Sequence, residues 1–159
     1  MALGRDRYQD NPQYQNILVA FDFSEHAREA VRQARDMASI YGARLQAFYV
    51  IEQEVHPANY YRWKDSMIKG LPEIEKEARA ALKETLGEEG PEDLKVKVEI
   101  GEGKAHQEIS NFAHAHKVDL VVMGSHGLSG MERMLLGSTT ERLVRISSCP
   151  VLTIKLMDD

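Results

Sequence analysis

Cysteine occurs once in the 159 residues, as Cys149, so no disulfide can form within the chain. A reducing compartment is the natural reading, and a single cysteine beside an expected strand reads as packing. Long apolar runs are missing too: none approaches the roughly 18 consecutive apolar residues of a membrane-spanning helix. Residues 1–15 are polar and lack a signal-peptide core, which makes a cytoplasmic location the expectation. Cationic excess is also absent, with 20 Lys and Arg against 25 Asp and Glu and a formal charge of -5. That balance argues against broad affinity for nucleic acid, and an anionic ligand would need local help from backbone N–H groups.

Several catalytic signatures are missing as well. There is no GxGxxG fingerprint, no P-loop GxxxxGK[ST] and no GxSxG elbow. His114 and His116 lie two apart and point to different helix faces, and no Cys/His spacing suggests zinc, so no metal-ligating residues are assigned.

What is present is 43% hydrophobic residues, enough for one core in one domain. Residues 1–15 lack apolar periodicity and read as a mobile arm, with the domain running over 16–159. Ile17-Leu18-Val19-Ala20-Phe21 has the composition of a strand buried on both faces and stops at Asp22. Ser24 then caps a helix with Ala27, Ala30, Val31, Ala34, Met37 and Ala38 inward and Gly42 as its stop. A strand over 45–51 follows. The stretch 52–71, with Pro57, Tyr60, Tyr61 and Trp63, reads as a long connection of open role.

A second helix is predicted from Pro72, with Ile74, Ala78, Ala81, Leu82 and Leu86 on one face and Gly87, Gly90 and Pro91 ending it. Leu94, Val96, Val98 and Ile100 alternate with charged residues, as on an edge strand. A third helix over 104–116, a central strand over 118–123, a fourth helix from Ser138 with Leu143 and Val144 inward, and a last strand over 151–154 complete the chain. Five strands alternating with four helices predict an α/β fold: a single open, doubly wound, mostly parallel sheet with helices on both faces.

The distinctive chemistry sits between Met123 and Glu141. Gly124 and Gly127 leave the central strand where residues without a Cβ let backbone approach a ligand, and Gly137 precedes Ser138 at a helix start. Such a start offers unpaired N–H donors and partial positive charge to a phosphate, with the Ser138 and Thr139 hydroxyls beside it. The plainer reading takes Gly127 and Gly130 as loop punctuation and Ser138-Thr139-Thr140-Glu141 as a capping box. Arg133 and Arg142 are cations within reach of such a site, although a solvent-facing role suits both.

The spacing Gly124-x2-Gly127-x9-Gly137-Ser138 resembles the nucleotide-binding signature of the ATP-binding branch of the universal stress protein family. The opening Ile17-Leu18-Val19-Ala20-Phe21-Asp22-Phe23-Ser24 and the closing Cys149-Pro150-Val151-Leu152 are similar to that family's first and last strands, so the resemblance covers nearly the whole domain. It implies the strand order 3-2-1-4-5, with Asp22 opposite Gly124 at the switch point. It further implies that Ala20, Asp22 and Val50 border an adenosine and that Met123, Gly124, His126 and Gly127 pass beneath ribose and phosphates. His126 would do so mainly through its backbone, while Gly137, Ser138 and Thr139 hold phosphate oxygens. For Asp22 a strand-end or capping role is the rival reading.

The expected ligand is ATP, with ADP and AMP as variants, accompanied by Mg²⁺ bridging phosphate oxygens. The resemblance also implies a homodimer through the last strand, residues 151–154, with a higher oligomer left open. No lysine of Walker type and no residue to orient water stand in the motif, so the expectation is a nucleotide-dependent stress-response switch with slow or no hydrolysis. A true ATPase and a dimeric interaction module without nucleotide are the two alternatives.

Overall fold

The computed structural model describes residues 13–52, 70–86, 96–127 and 135–156. The arm up to residue 12, the connection bearing Pro57, Tyr60, Tyr61 and Trp63, the turn with Gly87, Gly90 and Pro91 together with Leu94, and the loop positions Gly130 and Arg133 lie outside the described residues.

Among the described residues five strands and four helices alternate: β1 (Asn16–Ala20), α1 (Glu25–Tyr41), β2 (Arg44–Ile51), α2 (Leu71–Leu86), β3 (Lys97–Glu102), α3 (Ala105–Ala115), β4 (Leu120–Gly124), α4 (Ser138–Ile146) and β5 (Val151–Ile154). The strands form one sheet in the order β3-β2-β1-β4-β5, and every pairing is parallel. Between them the chain must cross over, which places helices on both faces.

Alternation along β1 shows how the two faces are built. Ile17 and Val19 enter a core with Leu45, Ala47, Leu120 and Val122 beneath α1 and α2. Leu18 and Ala20 enter the opposite one with Phe48, Val121 and Met123 beneath α3 and α4. Successive side chains of a strand point to opposite faces, so a central strand must be apolar throughout. Ile17, Leu18 and Val19 are fully buried, each contributing about 1.5–3 kcal/mol of transfer free energy.

Helix α1 lies close to the sheet because its inner face is Ala27, Ala30, Val31, Ala34 and Ala38. Ser24 caps it by accepting from the Ala27 amide at 3.1 Å, and Gly42 ends it at φ 63°. Asp119, just before β4, accepts from the amides of Gln15 at 2.8 Å and Asn16 at 3.2 Å. That carboxylate fastens the amino ends of β1 and β4 together, so their carboxyl ends finish side by side.

Two sequence expectations are corrected. The third strand extends through Gly101 and Glu102, which pair with Val50 and Ile51. Gly101 belongs in the strand because a Cβ there would lie 2.6 Å from the Phe48 ring. Val144 faces outward at 48% exposure, and α4 buries Thr140 and Leu143 instead. The i, i+3 pair of Thr140 and Leu143 shares one face, whereas Val144 lies about 100° further round.

Candidate functional site

The carboxyl ends of β1 and β4 meet where the strand order reverses, and two turns face each other there. After β1 the chain passes Asp22 and enters Phe23 at φ 66°, a left-handed conformation unusual for a bulky residue. Packing holds it: the Phe23 ring lies 4.8 Å from that of Phe21 and 5.2 Å, edge-on, from that of Tyr49. The turn lets Asp22 Oδ1 accept from the Ser24 amide at 3.0 Å and from the Ser24 hydroxyl. Its other oxygen, Oδ2, is directed at Gly127, where a Cβ would come within 2.7 Å.

After β4, Gly124 sits under the first turn of α1, and a Cβ on it would lie 2.6 Å from the Cβ of His26 and 2.9 Å from that residue's carbonyl carbon. Ser125 is clasped at three atoms. Its amide donates to Ile154 at 2.7 Å, its carbonyl accepts from the Gly137 amide at 2.7 Å, and its hydroxyl meets His126 Nδ1 at 2.8 Å. The His126 ring is buried and lies 5.3 Å from that of His26.

The chain returns at Gly137, the N-cap of α4, where a Cβ would stand 3.3 Å from both His126 Cα and the Ser125 carbonyl oxygen. Among the described residues no side chain caps this helix. A helix start of this kind leaves first-turn amides and the positive end of the dipole available to an anion. Ser138 is exposed and Thr139 half-buried. Thr140 turns inward and donates its hydroxyl to the Gly124 carbonyl at 2.9 Å.

Helix α3 opens beside this region, with its Ala105 amide donating to Glu52 Oε1 at 3.3 Å. Burial, then the charges of Arg142 and Lys104, hold the His106 imidazole below its usual range, against an opposing pull from Glu52. Among the described residues no group of three His, Cys, Asp or Glu side chains is placed to hold a metal ion.

Residues 13–155 match the family model described as the universal stress protein family. The chain belongs to the universal stress protein family. Among curated relatives, universal stress protein MJ0531 of Methanocaldococcus jannaschii is 33% identical over 142 residues, covering 89% of this chain and 82% of that one. Universal stress protein MJ0577 of the same organism is 32% identical over 158 residues, covering 89% and 95%. Its solved structure superposes with a TM-score of 0.72 over 92% of this chain and 99% of that one, at 28% identity. A universal stress protein solved in complex with cAMP gives 0.61 over 91% and 98%, at 25% identity.

Within this universal stress protein fold, Asp22, Gly124, His126, Gly127, Gly137, Ser138 and Thr139 gather at the β1/β4 switch point, with Ala20 the last residue of β1 and Met123 the residue before the end of β4. Val50 lies near the end of the neighbouring strand β2, buried in the same core as Ala20 and Met123. One site reading changes. The capping box does not form, because Gly137 is the cap and the Thr140 hydroxyl serves Gly124 rather than the helix's own amides. The His126 ring is engaged by the Ser125 hydroxyl at 2.8 Å.

His26, Phe23, Ser125 and Thr140 were not singled out as site residues by sequence. Thr140 carried a usable signal, since it shares the helical phase of Leu143. The others take their positions from turns whose partners are distant in sequence.

Proposed function

We propose that the chain binds ATP or a closely related adenine nucleotide at this switch point. The observation that carries the proposal is the glycine-lined cradle. Gly127 and Gly137 let the chain run directly against the Asp22 carboxylate and the Ser125–His126 backbone, where a Cβ would clash or crowd, and the start of α4, which no described side chain caps, supplies amide donors beside them. This lets an acidic chain hold a polyphosphate without a cationic surface. A neighbour of this fold in complex with cAMP supports the adenine-nucleotide class.

In this reading Ala20, Asp22 and Val50 border the adenosine, with Asp22 Oδ2 accepting from a ribose or adenine donor. Met123, Gly124, His126 and Gly127 underlie ribose and phosphates, and Gly137, Ser138 and Thr139 hold phosphate oxygens. Mg²⁺ would neutralise phosphate charge while retaining several of its waters. The protein then acts as a nucleotide-dependent stress-response switch in the cytoplasm, with slow or no hydrolysis. The half-buried strand β5 is an edge that a second copy covers. No described helix is long and apolar enough to cross a membrane.

Calorimetric titration of nucleotide-free protein with ATP and ADP, with and without Mg²⁺, tests the binding. Saturable heat that disappears in a folded Gly127→Val, Gly137→Val double variant supports the reading. No heat and no competition with a fluorescent ATP analogue defeats it. Sedimentation tests the assembly, and a monomer at micromolar concentration would defeat the dimer.

A further inference from the structure

We propose that Thr140 is a positioning residue of this site: its buried hydroxyl latches the start of α4 to the end of β4 and so holds the anion-binding amides in place. The inference rests on the nucleotide-binding reading above and assigns the site a part that touches no ligand.

The three hydroxyl residues at the start of α4 differ in their duties. Ser138 and Thr139 have no side-chain hydrogen bond among the described residues, and neither is buried. Thr140 is 3% exposed and donates to the Gly124 carbonyl at 2.9 Å. A buried hydroxyl left without a partner is costly, so this bond is an obligate part of the packed state.

The first turn of α4 is thereby attached twice. One attachment is the Gly137 amide on the Ser125 carbonyl at 2.7 Å, a backbone bond available to any non-proline residue. The other is the Thr140 hydroxyl on Gly124, the residue immediately before Ser125. A single attachment leaves a pivot, whereas two attachments to adjacent residues fix the tilt of the helix axis over the end of the strand. Binding of a phosphate by amides and a helix dipole is directional, and a displacement of about 1 Å is enough to weaken such a contact severely.

Ser125 carries the same frame to the sheet edge, because its amide is held by Ile154 at 2.7 Å. The latch therefore joins the helix start to β4 and, through Ser125, to β5. Thr85 supplies a control away from the site, although its hydroxyl also accepts from Arg28 at 2.8 Å. It is also buried, its hydroxyl donates to the Ala81 carbonyl at 2.7 Å, and it belongs to α2 on the opposite face of the sheet.

The experiment compares the full chain with its Thr140→Val, Thr140→Ser and Thr85→Val variants. ATP affinity is read by calorimetry, and exchange of the Gly137 and Ser125 amides is followed by NMR. Expected results are an affinity loss of about tenfold and at least tenfold faster exchange at Gly137 in Thr140→Val. Thr140→Ser should stay within about threefold of wild type in both, and Thr85→Val should melt at lower temperature with unchanged affinity and unchanged exchange at Gly137. Wild-type exchange at Gly137 in Thr140→Val overturns the latch, as does an equal loss of affinity in Thr85→Val. Absence of ATP binding by wild type defeats the nucleotide reading alone, because the exchange rates still decide whether Thr140 fixes the helix start.

Discussion

The carboxylate of Asp22 closes against the α-carbon of Gly127, so that a single added methyl at residue 127 would lie 2.7 Å from Asp22 Oδ2. Asp22 has little room to yield, because its other oxygen is engaged by the Ser24 amide and hydroxyl. Gly127→Ala should therefore turn the carboxylate out of place. On the proposed function ATP affinity falls at least tenfold, while the melting temperature drops by only a few degrees. Calorimetry and a thermal melt separate the two effects.

Gly124 and Gly137 should respond differently to the same change. At Gly124 the new methyl would meet the His26 backbone at 2.9 Å as well as its Cβ, so α1 and β4 must part. Overpacking of that kind costs about 1–3 kcal/mol. At Gly137 the nearest atoms are at 3.3 Å, and a shift of a few tenths of an ångström suffices. Denaturant titration should show Gly124→Ala as the more destabilised of the pair.

Gly42 isolates the backbone contribution. It stands at φ 63° with nothing within 4 Å of a Cβ, so Gly42→Ala meets no clash and bears only the left-handed strain. The expected loss is about 1 kcal/mol, with Gly42→Asn milder. Equal stability of wild type and Gly42→Ala in a urea titration would refute this.

His106 gives a pH dependence whose sign follows from its environment. Burial first, then Arg142 and Lys104, hold its folded-state pKa below the unfolded value of 6.5. Between the two values the unfolded chain binds more protons, so stability rises with pH through that window. The penalty is absent above 6.5, sets in as the pH falls below it, and is complete below the folded value. His106→Gln should flatten that part of the profile, and Arg142→Gln should raise the His106 midpoint in an NMR titration. An unchanged midpoint in Arg142→Gln would show that the arginine charge does not reach the ring.

Much of the architecture was legible because hydrophobic period reports burial directly. Ile17 to Ala20 read as a two-sided strand and is central, and the alternation through Val96 and Val98 read as an edge and lies at one. The boundaries that shifted did so for tertiary reasons. The apolar alternation ended at Ile100, yet β3 continues through Gly101, where the Phe48 ring occupies the space a Cβ would need. Val144 looked apolar enough to be inward, but the phase of α4 is set by Thr140 and Leu143.

By itself the sequence determined the alternation of strands and helices, the apolar faces, and the glycine block from Gly124 to Gly137, since each depends on neighbours a few residues away. The tertiary structure alone decided which groups meet. Asp22 faces Gly127 because β1 and β4 are adjacent and parallel, and Thr140 reaches Gly124 because α4 folds back over the strand that precedes it. Periodicity tells a residue which side to bury, whereas the identity of what lies opposite is a property of the sheet order and of the crossovers that produce it.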